Sequence, residues 1–191
     1  MSSNLLLPPT RPDADAAFIV LQPDRAHPMS GSNCICVVTA LLETGRVKMV
    51  EPETLVRLDT AAGLIVARAR CENGRCLSVS LDNVPAFVLA LDAEIKTKNF
   101  GVIRGDIAFG GVFYGLVDAD QVGLSIVPEN ARALAEAGIA IKADLKGQIP
   151  ISHPELPGLD EVAYVMFRSR EADGSIRTCT TLKPGRVDRS P

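Results

Sequence analysis

A short run of small polar residues precedes the most apolar helical segment of the chain. The run is Ser30-Gly31-Ser32-Asn33, and CICVVTALLETG follows it directly. The first turn of a helix carries backbone N–H groups without intrahelical partners, and the aligned peptide dipoles add a partial positive charge there. Small side chains leave those groups open to a carboxylate or phosphate. An ordinary cap and turn is the common interpretation of such a run, and an anion-binding site is the alternative.

The other residues with chemical potential are thiols and imidazoles. The cysteines are Cys34, Cys36, Cys71, Cys76 and Cys179. Their spacing does not provide the two close Cys or His pairs that a zinc site needs. We therefore expect no metal site, and reduced, mostly buried thiols. His27 and His153 are isolated along the chain, and we expect both in surface loops.

The composition limits the class of protein. The chain has 191 residues, of which 47% are hydrophobic and only 4% aromatic, so the core must be aliphatic. The net charge is -3 without a basic cluster, which argues against nucleic acid as a partner. No apolar run is long enough to span a bilayer, and the three leucines near the start are too few for a signal peptide. These features predict a cytoplasmic protein without a membrane or nucleic-acid partner.

The first part of the chain must position the polar run. We predict strands at 17–22, 54–60, 63–71 and 76–82, and a helix from about Asn33 to Thr44 that Gly45 ends. Asn33 is the expected helix cap. The helix is apolar on all sides, so protein should surround it. Asn73-Gly74 is a strong hairpin signal between two of these strands.

The second part of the chain also mixes strands and helices. Residues 84–92 are either a strand or irregular, because Pro85 disfavours a strand start. A long extended stretch at 101–119 is broken by glycines, which indicate bulges, close backbone approach or a surface that faces a ligand. Helices are expected at 128–138, ended by Gly138, and at 140–147, and strands at 162–169 and 173–183. This mixed order predicts an α+β fold.

Three motifs resemble the proline racemase family, which includes 4-hydroxyproline epimerases and trans-3-hydroxy-L-proline dehydratases. MSGSNCICVVTALLETG resembles the first active-site segment of that family, FGGVFYGLVDA its glycine-rich central stretch, and RTCTTLKPGRVDRSP the approach to its second active-site segment. The resemblance implies a fold like diaminopimelate epimerase, with two pseudo-symmetric α/β halves that each wrap a curved sheet around a helix. The expected division is 1–100 for the first half and 101–191 for part of the second.

The resemblance also implies the roles of individual residues. Ser30 takes the place of a catalytic cysteine, and Ser32 that of a common histidine. Gly31, Ser32 and Asn33 would bind the substrate's carboxylate, and Asp188 its amine. No metal or other cofactor takes part in the family's reaction. Cys34, Cys36 and Cys179 do not match the family's catalytic positions.

The serine at position 30 decides which reaction is expected. A hydroxyl is a much weaker acid than a thiol and needs a neighbouring base, so a reaction with one strong base is favoured. That reaction is dehydration of trans-3-hydroxy-L-proline to 1-pyrroline-2-carboxylate. The alternatives are 2-epimerisation of 4-hydroxyproline or racemisation of proline, and an inactive protein that binds a small carboxylate.

The resemblance carries an expectation about length as well. Family members are longer and continue after DRSP into a Cys-Gly-Thr-Gly run that holds the second catalytic cysteine. We therefore expect a fragment that is incomplete at both ends and inactive alone. The full-length protein would act on hydroxyproline or proline as a small-molecule substrate, with a homodimer as an open alternative.

Overall fold

The computed structural model describes residues 2–22 and 26–189, and the chain folds as two units. The first unit is Met1–Ala86 and the second is Phe87–Pro191. From the sequence, this boundary was expected at residue 100. The boundary lies earlier because residues 87–97 form a strand that pairs with residues 101–109. An antiparallel hairpin of this kind keeps both of its strands in one sheet.

The described residues of the first unit form a six-stranded mixed sheet and one helix. The strands are β1 Ser3–Leu7, β2 Ala16–Leu21, β3 Ala26–His27, β4 Glu53–Thr60, β5 Gly63–Glu72 and β6 Arg75–Asp82, and the helix is α1 Gly31–Glu43. The strand order is β1-β2-β4-β5-β6, with β3 added to β2. β2 and β4 run parallel, and the other pairs are antiparallel. β1 and β3 were not predicted from the sequence.

α1 buries one face against β5 and β6. The buried residues are Cys34, Val37, Val38, Leu41 and Leu42. The opposite face is open, with Ile35 40% exposed and Cys36 exposed. The expectation that protein surrounds this helix on all sides is therefore wrong for the described residues. Composition alone shows which faces are apolar, whereas burial requires a packing partner on each face.

The hairpin predicted at Asn73-Gly74 is confirmed. Both residues have positive φ angles, 53° and 71°, as a tight turn between twisted strands requires. In β5 the residues facing the core are Ile65, Ala67, Ala69 and Cys71. The arginines between them face solvent.

In the described residues, the second unit likewise has six strands and one α-helix, and it adds two short 3-10 helices, Ala119–Val122 and Pro128–Asn130. Its strands are β7 Phe87–Thr97, β8 Gly101–Phe109, β9 Phe113–Asp118, β10 Val162–Arg170, β11 Ile176–Lys183 and β12 Arg186–Arg189, and its helix is α2 Ala131–Leu145. The strand order is β12-β11-β10-β9-β8-β7, and β9 and β10 are the parallel pair. The α+β class and the repeated arrangement of a sheet with a helix are confirmed. No helix in the described ranges has the length and apolar character needed to cross a membrane.

α2 is one continuous helix and not two. Gly138 was expected to end a helix, but it lies buried in the middle of α2. A Cβ atom built on Gly138 would lie 2.7 Å from Cβ of Thr181 in β11, and still closer to Oγ1 and Cγ2 of that side chain. The glycine thus allows the helix to approach the sheet closely. Gly105 has a similar role, because its Cβ would lie 2.7 Å from the carbonyl oxygen of Leu116.

The two faces of the second sheet differ in character. The face that packs against α2 is buried and includes Val117, Val165 and Phe167. The other face is half-exposed and carries a charged cluster, in which the Arg168 guanidinium contacts Asp106 at 2.7 Å and Asp118 at 2.5 Å.

Candidate active site

The polar run forms the first turn of α1. Ser30 is the N-cap residue, with extended backbone angles of φ -155° and ψ 119°, and the helix begins at Gly31. The Cys34 N–H donates to the carbonyl oxygen of Ser30 at 2.9 Å, which closes the first helical turn. The prediction that Asn33 caps the helix is therefore wrong. The helix begins earlier than expected, because Gly31 and Ser32 already have helical conformation.

The Ser30 hydroxyl does not cap the helix. Its Oγ accepts a hydrogen bond from Nδ2 of Asn33 at 2.8 Å, and no side-chain capping bond is formed. Oγ of Ser32 lies 3.4 Å away, at the outer limit of a hydrogen bond. A serine hydroxyl has one hydrogen and two lone pairs. The amide of Asn33 therefore orients Ser30 through one lone pair and leaves the hydroxyl hydrogen available as a donor.

The turn is open, and its charge is not compensated locally. Ser30, Gly31 and Asn33 are half-buried and Ser32 is exposed. The first turn of α1 contains no acidic residue. The partial positive charge at this helix end is therefore not met by a side-chain carboxylate of its own turn, which suits an incoming anion. The nearest atom to a Cβ built on Gly31 would be Cδ1 of Leu81, at an ordinary 3.9 Å.

Asp188 lies in the second unit, on β12. Its register partner is Thr180 of β11. Thr180 is paired with Met166 of β10, and Met166 is paired with Leu116 of β9. Cross-strand partners share a face of a sheet, so Asp188 lies on the half-exposed face. Its side chain is exposed to solvent.

Tyr114 is a neighbour of Asp188 that the sequence analysis missed. It shares the half-exposed face because it precedes Leu116 by two positions in β9. Burial raises the pKa of the Tyr114 phenol, and the charge of Asp188 raises it further. The ring stands 5.8 Å from that of Tyr164. The alternation in FYGLVD was the available signal, since it places Tyr114 on the same face as Asp118.

The structure thus brings four of the five predicted site residues together. Ser30, Gly31, Ser32 and Asn33 share one turn of the first unit, whereas Asp188 belongs to the second unit. The described residues contain no group of three or more His, Cys, Asp or Glu side chains that could hold a metal ion.

The thiols and imidazoles are explained mostly by packing. Burial raises the pKa of the Cys34 thiol to about 11, so it is neutral at physiological pH. Cys179 is also buried, and its pKa is raised by burial and then by the charge of Asp188.

His27 was expected in a surface loop, but it is 7% exposed because β3 pairs with β2 and turns it inward. His153 is half-buried, and its Nδ1 accepts N–H bonds from two residues of its own loop at 3.1 Å.

Comparison with known proteins gives a consistent result over the whole chain. A family model described as proline racemase matches residues 1–191. A 4-hydroxyproline 2-epimerase from Allorhizobium ampelinum is 59% identical over 190 residues, which cover 100% of this chain and 55% of the relative. The chain therefore spans about half the length of the curated relatives it matches. The last two residues of the DRSP segment, 190 and 191, lie outside the described residues.

Two solved structures share the fold closely. A hydroxyproline epimerase from Agrobacterium vitis, with bound trans-4-OH-L-proline, has a TM-score of 0.91 and 59% identity and is covered over 55% of its chain. A probable proline racemase from Agrobacterium radiobacter K84, with bound carbonate, has a TM-score of 0.92 and 58% identity and is covered over 56%. Both matches cover 100% of this chain.

Proposed function

Because the chain belongs to the proline racemase family, we propose that the whole protein catalyses 2-epimerisation of 4-hydroxyproline. This proposal replaces dehydration as the favoured reaction. The relative from Allorhizobium ampelinum is named as a 4-hydroxyproline 2-epimerase at 59% identity. The single observation of this chain that carries the proposal is the open first turn of α1, with Ser30 held by Asn33 at its mouth.

The carboxylate of the amino acid binds the backbone N–H groups of Gly31, Ser32 and Asn33. These groups belong to the first turn, where no intrahelical acceptor is available. The absence of an acidic side chain in that turn favours an anion over a cation. Asp188, which is exposed on its own unit, would bind the substrate's amine through a charge-assisted hydrogen bond.

Epimerisation needs a proton to leave one face of the α-carbon and another to arrive on the opposite face. We assign Ser30 to one of these faces as a donor, because its Oγ accepts a hydrogen bond from Asn33 and its hydroxyl hydrogen stays available. A serine hydroxyl is a weak acid and needs help to become a base. The partial positive charge of the helix end stabilises the alkoxide and so helps Ser30 in the direction that removes a proton.

We assign the group on the opposite face to none of Cys34, Cys36 and Cys179, because these residues do not match the catalytic positions in the family's motifs. The Cys34 thiol is also buried, and burial raises its pKa to about 11. In the proposed mechanism, the cysteine of the Cys-Gly-Thr-Gly run that follows DRSP in the family supplies this group.

Dehydration of trans-3-hydroxy-L-proline remains the second candidate. It is favoured by the serine at position 30, where racemases and epimerases of this family carry a cysteine. The two reactions share the first step, removal of the α-proton, and differ in whether a hydroxyl then leaves or a proton is returned.

The test uses the full-length protein in D₂O with each substrate in turn. We expect trans-4-hydroxy-L-proline to exchange its α-proton and to yield the 2-epimer, measured by NMR and chiral chromatography. A cyclic imine from trans-3-hydroxy-L-proline, with neither exchange nor epimer from the 4-hydroxy substrate, would show that the protein is a dehydratase.

A variant pair then tests the role of Ser30. Ser30→Ala should lower kcat at least about 100-fold, the scale of general acid–base catalysis, whereas Ser80→Ala, at an exposed position of β6, should leave it unchanged. Retention of full epimerase activity in Ser30→Ala would remove Ser30 from the mechanism.

A further inference from the structure

Two cysteines face each other across the hairpin formed by β5 and β6. Cys71 and Cys76 are register partners, one step beyond the Glu72 and Arg75 pair that flanks the turn. All five cysteines of the chain are free thiols in the structure. Cross-strand partners project their side chains on the same side of a hairpin, so the two thiols are neighbours.

The backbone hydrogen bonds show which kind of pair this is. The Cys71 N–H donates away from the hairpin, to the carbonyl oxygen of Pro52 at 2.8 Å. The Cys76 N–H also donates outward, to Oε1 of Glu43 at 3.1 Å. Neither amide is used across the hairpin, as in a non-hydrogen-bonded antiparallel pair. In such pairs the Cα atoms are about 4.5 Å apart, within the range of about 4.4–6.8 Å that disulfides span.

The surroundings of the two sulfurs differ. Cys71 is 2% exposed, and its Sγ lies 3.7 Å from Oγ1 of Thr54. Cys76 is half-buried, and its Sγ accepts a contact from Oγ1 of Thr39 in α1 at 3.8 Å. Burial raises the pKa of the Cys76 thiol, and Cys71 adds to that rise. Solvent therefore reaches Cys76 first, while Cys71 is held behind it.

We propose that Cys71 and Cys76 form an intrachain disulfide when the protein meets a small-molecule disulfide such as oxidised glutathione. The Cys76 thiolate attacks one sulfur of the reagent and releases the first glutathione thiolate. The Cys71 thiolate then attacks Sγ of Cys76 in this mixed disulfide and releases the second. The protein loses two protons and two electrons, and one oxidised glutathione becomes two reduced molecules.

This site is separate from the proposed active site. Its oxidation involves none of Ser30 to Asn33 and leaves their turn covalently unchanged. The disulfide would change the bonding of the Cys76 sulfur, which Thr39 contacts from the middle of α1. It would also link the two strands of the hairpin covalently next to that helix. The proposal therefore stands or falls independently of the epimerase activity.

Trypsin provides a direct readout. Cleavage after Arg70 and Arg75 separates the two cysteines, and the next basic residue is Lys96. Under non-reducing conditions, a disulfide keeps the cleaved peptide 71–75 joined to peptide 76–96. The joined pair separates on reduction, whereas an uncleaved peptide 71–96 does not. The experiment incubates the full chain with oxidised glutathione, blocks free thiols with N-ethylmaleimide after denaturation, and identifies the peptides by mass spectrometry. Cys36→Ser is the background, because Cys36 is exposed and would form its own adducts.

We expect the joined peptides, and an intact mass about 2 Da below that of the reduced chain. Cys71→Ser in the same background should stop at a glutathione adduct on Cys76, and Cys76→Ser should acquire neither product. A stable glutathione adduct on Cys76 in the Cys36→Ser background, without joined peptides, would overturn the proposal. The proposal would also be overturned if the Cys36→Ser chain stayed unmodified at concentrations of oxidised glutathione that label Cys36 in the wild-type chain.

Discussion

Gly138→Ala tests the close approach of α2 to β11. In a solvent-exposed helix this substitution stabilises by about 1 kcal/mol, because alanine is the better helix former. Here the new methyl group meets Thr181, whose Cβ would be only 2.7 Å away. Thr181 is 2% exposed and its Oγ1 donates to the carbonyl oxygen of Val165 at 2.9 Å.

The magnitude follows from two costs and one gain. Overpacking a close contact costs about 1–3 kcal/mol, and moving Thr181 away from its buried acceptor costs about 1–3 kcal/mol more. Subtracting the gain in helix propensity leaves a net destabilisation of about 1–5 kcal/mol. The free energy of unfolding is measured by urea titration of the full chain.

Gly115→Ala is the matched control in the same unit. Its Cβ would meet side-chain carbons at an ordinary 3.5–3.8 Å, so we expect no loss of stability, or a gain of up to about 1 kcal/mol. The double variant Gly138→Ala with Thr181→Ala should be more stable than the sum of the two single effects, by about 0.5–3 kcal/mol. A neutral or stabilising Gly138→Ala would show that the helix and strand move apart easily, and would refute the packing argument.

Two further predictions concern ionisation. Burial tends to raise the pKa of the Asp106 carboxyl, but a backbone N–H and the Arg168 guanidinium lower it below its usual value. The stability that this group contributes is present above about pH 4 and is lost as the pH falls through the lower folded pKa. Asp106→Asn should therefore flatten the acid limb when the free energy of unfolding is measured by urea titration against pH, and an unchanged limb would contradict this. Cys36 is exposed, whereas Cys34 is buried and its pKa is raised to about 11. A maleimide at pH 7.5 should therefore label Cys36 first and reach Cys34 only after unfolding, as peptide mass spectrometry would show. Equal labelling rates would refute the burial of Cys34.

Local patterns in the sequence determined many of the elements. The Asn73-Gly74 turn was predictable because a tight hairpin needs positive φ angles that these two residues adopt easily. Alternation and apolar runs located β2, β4, β5, β6, β10 and β11. The polar run before an apolar helix located the candidate site. These features depend on neighbours in sequence, so they can be identified without tertiary contacts. The family followed from motifs of the same local kind.

Tertiary structure decided what depends on distant partners. Gly138 resembles a helix terminator in the sequence, yet α2 continues through it because Thr181, far along the chain, occupies the space that a side chain would need. His27 is buried and Ile35 is exposed, in each case against the sequence-based expectation. Burial is set by which surface packs against a residue, and a sequence pattern shows only which residues favour burial.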